Sequence, residues 1–470
     1  MQNLENKEVT AVLFLDLQKA FDTVSHDILL KKLFHYGIRG NAYKLLSSYL
    51  SGRSQFMKMG PFISIISLIL WGVPQGSVLG PLLFLIFIND LPNASKLFSW
   101  LFADDTALAL SAKSFQELEI KLNLEVEKVH NWLLSNGLSV HYVDKTQYML
   151  IKGSRLSSSI VGDDSTFILK MGENIIERTN TYKYLGIIID DKMSWKPQIE
   201  KMCSKLSSVC GVLSKVRHYL DRKSLMLIYN SLFDSRLNYG CLGWCTATEN
   251  YISKLRTLQN RAVIYITFSE FGSRLAPLYT DLQIIPLDNI IFLQRTIFMH
   301  AYNYSNLPFV FKLYYNRPRR EYNTRYNSNN NFLLPVAKTR RAQLSIKFTG
   351  PKAWTNVPNS IKEIAFRKPF TKAMKSHILE ILKETNPISS ESSYLKKRKK
   401  IKENLQKSHE LNLNFVEDDD HFTHNNFQTQ NLSNFDNDLI LRNSSISHLE
   451  ISLTDIFLSD DDDTEFLGFD

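Results

Sequence analysis

Cysteine is scarce and scattered: four residues in 470, at Cys203, Cys210, Cys241 and Cys245. So few exclude a disulfide scaffold. No histidine or further cysteine stands at zinc-site spacing from Cys241 and Cys245, which argues against a zinc centre there. Long hydrophobic runs are missing as well. The longest apolar stretches, Phe62–Trp71 and Val78–Ile88, are interrupted by Ser64 and Ser67 or by Gly80 and Pro81. Both are shorter than the ~20 residues needed to cross a bilayer. The opening MQNLENKEVT is polar and lacks the apolar segment of a secretory signal. These absences point to an intracellular, reducing compartment and to no membrane partner.

Acid is withheld from most of the chain. Residues 1–402 hold 54 basic and 31 acidic side chains, net +23, whereas residues 403–470 hold 16 acidic and two basic ones, net −14. A body that basic favours a polyanionic partner, nucleic acid first, with a merely solvated basic surface as the alternative. Tyr322–Ile361 contains no acid at all. It carries Arg325, Lys338, Arg340, Arg341, Lys347 and Lys352 with Tyr326, Phe332, Phe348 and Trp354 interleaved. That pattern suits single-stranded or hairpin nucleic acid, or equally a solvated face over an aromatic core. Beyond about residue 386 the composition collapses into Ser, Asn, Asp and Lys, with the basic run KKRKKIK (396–402) and the acidic runs EDDD and SDDDDTEF. This reads as a disordered tail.

The remaining pattern mixes strands and helices. His26–Tyr36 and Asn41–Leu50 have helical spacing, the first stopped by Gly37. Lys58–Trp71 is β-like, and the Gly/Pro-punctuated GVPQGSVLGP leads into an apolar helix at Leu82–Asn89. Ser114 and Glu117 form a capping box for a helix to Asn136, whose apolar stripe is Leu118, Leu122, Val126, Val129 and Leu133. Strands are expected at Tyr142–Ile151 and within YKYLGIIID (182–190). From Pro197 to Phe268 the pattern is helical, with Gly211, Asp221 and Gly240 as candidate breaks, and 270–385 reads as a mixed segment.

Two apolar strands end in carboxylates. Asp16 closes Ala11–Leu15, and Asp104–Asp105 close Leu101–Ala103. Desolvation disfavours bare carboxylates at buried strand ends. A hard divalent cation between them would relieve the cost, taking carboxylate and substrate phosphate oxygens together. Two such ions roughly 4 Å apart clamp an in-line phosphoryl transfer. That is a polymerase or nuclease arrangement.

Four blocks decide between the two. FLDLQKAFDTVSHDILL, GVPQGSVLGPLLFLIFIND, FADD and YKYLGIIID resemble, in order, the successive blocks of a reverse transcriptase, in detail that of jockey-like, non-LTR retrotransposons. The resemblance covers about residues 8–192. It implies an α+β right-hand polymerase palm with antiparallel sheet and partial fingers at 1–192, a helical thumb at 193–270, a basic, mixed C-terminal domain at 271–385 and the tail at 386–470. The implied activity is RNA-directed DNA polymerisation with two Mg²⁺ ions (Mn²⁺ as a substitute), on an RNA template with a DNA primer or target and dNTPs. The rival reading is an inactive nucleic-acid-binding remnant. An intron maturase-like enzyme fits the third and fourth blocks less well.

The resemblance also implies site residues. Asp16 and Asp104 match the metal-binding aspartates, Asp105 is the adjacent acid, and the Leu17 carbonyl is a further ligand. Phe21 stands where the family keeps a ring against the sugar 2′ position, selecting deoxynucleotides; a core phenylalanine is the alternative. Gln75 and Gly76 match the loop that meets nucleotide and template. Lys145 matches a lysine that approaches the triphosphate, although LSVHYVDKT departs from the usual spacing, with His141 in place of an asparagine. Tyr184, Leu185 and Gly186 match the hairpin that grips the primer terminus. Upstream fingers and an endonuclease are expected to be missing, so the chain looks N-terminally truncated. KKRKKIK suggests nuclear import after a cytoplasmic phase.

Overall fold

The computed structural model describes residues 8–385 except 144, 154–160, 313 and 318–330. The expected tail, with its basic and acidic runs, lies outside the described residues. At the centre is a five-stranded sheet built from β1 (Val9–Leu15), β2 (Phe98–Phe102), β3 (Asp105–Ala112), β4 (Gln147–Ile151) and β5 (Glu177–Arg178), in the order β5-β4-β1-β3-β2. Strand β1 pairs antiparallel with β3 and with β4, and β2 with β3. Only the short edge strand β5 runs parallel to its neighbour.

The two faces of β1 go to different partners, because successive side chains point oppositely. Val9, Ala11, Leu13 and Leu15 enter a core shared with α3 (Leu79–Ile88) and α4 (Phe115–Ser135), which follow α1 (His26–His35) and α2 (Gly40–Leu50) in the chain. Leu118, Leu122, Val126, Val129 and Leu133 are the buried stripe of α4. At its start the Ser114 side chain accepts from the Glu117 N–H, while Glu117 accepts from the N–H of Lys113, one residue before the expected capping-box partner. On the opposite sheet face Phe14, Ala107 and Met149 pack under Tyr182, Tyr184 and Ile189. Those three belong to a hairpin, β6 (Thr181–Tyr184) and β7 (Ile187–Asp190).

Several expectations change. Helix α3 begins at Leu79, because the Ser77 hydroxyl accepts from the Gly80 N–H at 2.9 Å and closes the first turn. Strand β4 begins only at Gln147; before it, Ser139, Val140, His141 and Thr146 tie down the end of β1. Gly211 does not break its helix: α5 (Lys196–Val216) runs through it, with open space around the residue. Asp221 and Gly240 do mark element starts, Asp221 by capping Ser224 N–H and Gly240 at φ +60°.

Where a mixed segment was expected at 270–385, the described residues hold helices and connecting turns, without a strand. Helices α6 (Glu249–Thr267) and α7 (Leu287–Asn303) join α5 around a core from Trp195 to Ile291. A further core, with Phe332, Trp354, Phe370 and Met374, gathers α7, α8 (Ile346–Thr355) and α9 (Arg367–Thr385).

Lys362 is buried beside that last core, its ammonium 3.0 Å from Asn331 Oδ1, and burial pushes it down to about 8. The folded form therefore holds fewer protons than the unfolded chain between about pH 8 and the usual lysine range. Stability rises with pH through that window, by at most about 1.4 kcal/mol per unit. Chemical denaturation of Lys362→Met at pH 7.5, 8.5 and 9.5 is expected to show a flatter profile than the wild type.

Candidate active site

The carboxylates meet at one end of the sheet. Leu15 pairs with Thr106, so continuing the register sets Asp16 opposite Asp105, on the face of Phe14 and Ala107. Asp104 does not end a strand as expected. Phe102 pairs with Asp105, which makes Ala103–Asp104 the two-residue turn of the β2–β3 hairpin, with Ala103 at φ +51°. A tight turn thus projects one acid and starts β3 with the next.

Their mutual charge is visible. Desolvation, then the charges of Asp104 and Asp16, raise the Asp105 carboxyl above its ordinary range. Burial, then Asp16 and Asp105, raise the Tyr182 phenol. Burial and Asp105 push Tyr184 up to about 12. Both tyrosines remain neutral donors at ordinary pH. Their hydroxyls donate to main-chain carbonyls, Tyr182 to Lys145 at 3.0 Å and Tyr184 to Trp100 at 3.4 Å.

Lys145 reaches the site despite its irregular spacing: Nζ lies 3.2 Å from Asp16 Oδ2. The segment before it explains how. Gln18 N–H donates to Ser139 O, His141 N–H to Asp16 O and Asp16 N–H to Thr146 Oγ1. Leu17 is buried there in a bridge to Val140. His141 therefore contributes its backbone where the resembling sequences have an asparagine.

The PQG loop docks beside this end through glycine. Gly72 (φ +89°) donates to Val24 O at 2.7 Å, Val73 donates to Phe21 O at 2.8 Å, and a Cβ on Gly72 would lie 2.9 Å from the Asp22 main chain. Gln75 Nε2 donates to Asp22 Oδ1 at 2.9 Å, while Gly76 (φ +79°) has open space around it. Phe21 packs on Phe84, ring centroids 4.6 Å apart. It is thus half-buried, with the core contact foreseen as the alternative.

The β6–β7 turn is Leu185 (φ +47°) and Gly186 (φ +80°), a pair of left-handed residues suited to a two-residue hairpin. It is held from the helical region: Tyr239 Oη donates to Leu185 O at 2.6 Å, and a Cβ on Gly240 would lie 2.2 Å from Ile187 Cδ1. Beside the hairpin, burial and the charges of Lys183 and Lys205 lower the Lys201 ammonium.

Sequence reasoning missed Tyr182, which stacks on Phe14 at 4.0 Å and 7°. Its alternation with Tyr184 was the available signal. It gave Asp22 no role at the site and missed Gly72 and Tyr239; the contacts of Tyr239 with Leu185 and of Gly240 with Ile187 span about fifty residues and carry no local sign.

The acids suit a divalent cation: they stand at one open sheet end, where desolvation, together with the charges of Asp104 and Asp16, raises the proton affinity of Asp105. Among the described residues no three His, Cys, Asp or Glu groups are gathered at metal-ligating range.

Comparison with known proteins settles the family of this region. The reverse transcriptase (RNA-dependent DNA polymerase) family matches residues 1–189. This chain carries a reverse transcriptase domain. The reverse transcriptase family generally uses divalent metal ions. Similar proteins include the probable RNA-directed DNA polymerase from transposon BS of Drosophila melanogaster, 29% identical over 65% of this chain and 33% of that protein. The RNA-directed DNA polymerase from mobile element jockey of the same organism is 26% identical over 60% of this chain and 31% of that protein. A type-1 retrotransposable element R1 polyprotein of Bradysia coprophila is 27% identical over 54% of this chain and 25% of that protein. The chain thus spans about a third or less of these relatives. Among solved structures, telomerase from Candida albicans, in complex with a fragment of telomeric RNA, is similar at 12% identity and TM-score 0.28, over 64% of this chain and 48% of that one. So low a score adds nothing to the reverse transcriptase assignment.

Proposed function

We propose that the chain is an RNA-directed DNA polymerase of a non-LTR retrotransposon, transferring nucleotides from dNTPs to a primer 3′-hydroxyl on an RNA template. The observation that carries this reading is the crowding of Asp16, Asp104 and Asp105 at one sheet end, flanked by the β6–β7 hairpin. Asp16 and Asp104 hold two Mg²⁺ ions, replaceable by Mn²⁺, with Asp105 and the Leu17 carbonyl completing the set. When bound, the ions supply Lewis acidity to in-line phosphoryl transfer. Lys145, freed from Asp16, gives counter-charge or a proton to the triphosphate. Gln75 and Gly76 border the nucleotide, and Tyr184, Leu185 and Gly186 hold the primer terminus. In this reading residues 1–192 act as palm and partial fingers, 193–270 as thumb and 271–385 as a basic domain on nucleic acid. The 396–402 run directs the chain to the nucleus.

The test is primer extension by the purified chain on an RNA template with DNA primer, dNTPs and Mg²⁺. Template-dependent extension supports the assignment; bound template without extension contradicts it. A narrower expectation concerns Phe21. With Phe21→Val, the ratio of ribo- to deoxynucleotide incorporation rises about 10–100-fold, the range available to a pocket wall that loses part of a ring. An unchanged ratio removes Phe21 from sugar selection.

A further inference from the structure

Outside the reverse transcriptase domain, one cleft gathers cations without matching acids. It is about 520 Å³ and lies between residues 245–252, helix α7 and residues 340–344. Arg295, Arg340 and Arg341 line it. A second recess of about 340 Å³ shares Arg295 and Leu344 and adds Phe292, Phe348 and Lys352. Both volumes fall in the range of sites for nucleotide-sized ligands, about 300–1,000 Å³. None of the candidate active-site residues lines either recess.

The charge here is not neutralised from within. Two carboxylates stand at the cleft, Glu249 and Asp288, and both are engaged by Arg256 at 2.8 Å. Among the described residues no carboxylate pairs with Arg295, Arg340, Arg341 or Lys352. Arg295 leans on the Cys245 thiol, 3.9 Å from its sulfur. Arg341, Phe292 and Phe348 are half-buried. Guanidinium groups held over a concave surface beside two partly open rings match a phosphodiester chain with unpaired bases: phosphates on the arginines, bases on the rings. A mononucleotide would use one recess; two neighbouring recesses that share Arg295 as a lining residue suit a chain.

We infer that this cleft, bounded by Arg295, Arg340, Arg341, Lys352, Phe292 and Phe348, is a second nucleic-acid site that holds a single strand apart from the polymerising end. The inference deepens the proposed function and rests on it for the identity of the partner. It gives the acid-free stretch around residues 338–352 a specific purpose: to retain an unpaired segment while the domain at 1–189 works on the paired one.

The test uses the full chain with unlabelled primer–template hybrid in excess, and reads fluorescence anisotropy of labelled ten-nucleotide oligo(U) and oligo(dT). Replacing both arginines (Arg340→Ser with Arg341→Ser) is expected to weaken decamer binding at least tenfold. The slope of log affinity against log salt should fall by about 1–2, as for two lost phosphate contacts on a single strand. Phe348→Leu, which keeps the site apolar, should weaken binding several-fold with the salt slope unchanged. Binding of oligo(U) alone identifies RNA; binding of both identifies single strands in general, and either supports the site. Wild-type affinity in the arginine variant, with its melting temperature unchanged, overturns it, as does a preference for duplex. Asp104→Ala separates the two readings: it should leave decamer binding intact. Arginine-dependent binding without any primer extension by the wild type would keep the cleft and reject the polymerase.

Discussion

Asp104→Asn is expected to lower primer extension by at least about 10²–10³-fold, the loss that follows removal of one preorganised electrostatic partner of a transition state, while the chain melts at or above the wild-type temperature. The two halves have one cause. Asp104 raises the Asp105 carboxyl by its charge, so in the free chain it is a source of repulsion. The amide has the same shape and removes that repulsion, and the turn at Ala103–Asp104 does not require the charge. Asp16→Asn should lose activity comparably. It gains less stability, because Asp16 also pairs with Lys145, although an exposed pair of this kind is worth at most about 1 kcal/mol. Extension within tenfold of wild type in either variant, with thermal unfolding unchanged, would remove that aspartate from the reaction.

Gly72→Ala is the second expected large effect, and it acts through the backbone. A methyl group there would stand 2.9 Å from the Asp22 Cα and carbonyl oxygen, at a residue with φ +89°. Main-chain atoms cannot step aside as a side-chain end can. A left-handed alanine costs about 1–2 kcal/mol, and overpacking adds about 1–3. The loop would separate from the 21–24 turn, losing the bonds to Val24 O and Phe21 O and the Gln75–Asp22 contact. Loss of about 2–5 kcal/mol by chemical denaturation is expected, together with a higher KM for dNTP. Gly76→Ala is the comparison: its φ is +79° but nothing lies within 4 Å of the new Cβ, so only the dihedral penalty of about 1–2 kcal/mol applies. Equal costs at both positions would contradict the close-approach argument.

The parts legible in the sequence were those governed by neighbours along the chain. The α4 stripe and its serine cap follow from helical period and a side chain three residues from its partner. The stop of α1 at Gly37, φ +94°, is equally local. The carboxylate segments were legible because acids closing apolar strands are rare enough to demand a reason. Local reading failed where bonds ran between distant segments. The stretch before β4 has strand composition, yet the Thr146 hydroxyl accepts from the Asp16 N–H at the end of β1 and the Thr146 N–H donates to His141 O. Gly211 has a breaker's identity, but in an exposed helical position it costs only about 1 kcal/mol, which the packing of α5 on α6 outweighs. At 270–385 the pattern read only as a mixed segment, and burial of Phe332, Trp354 and Phe370 in a core between helices decided its form.

By itself the sequence determined the chemistry: which acids, which glycines and which rings stand in which order, and hence the polymerase family of the first 189 residues. Only the tertiary structure decided who meets whom. The register of β1 against β3 sets Asp16 opposite Asp105, the 139–146 segment delivers Lys145 to Asp16, and Tyr239 reaches back to hold the Leu185 turn. The physical reason is the range of the forces. Propensity and capping act over a few residues, whereas pairing of buried backbone groups and burial of apolar faces join segments that sequence separation leaves unrelated.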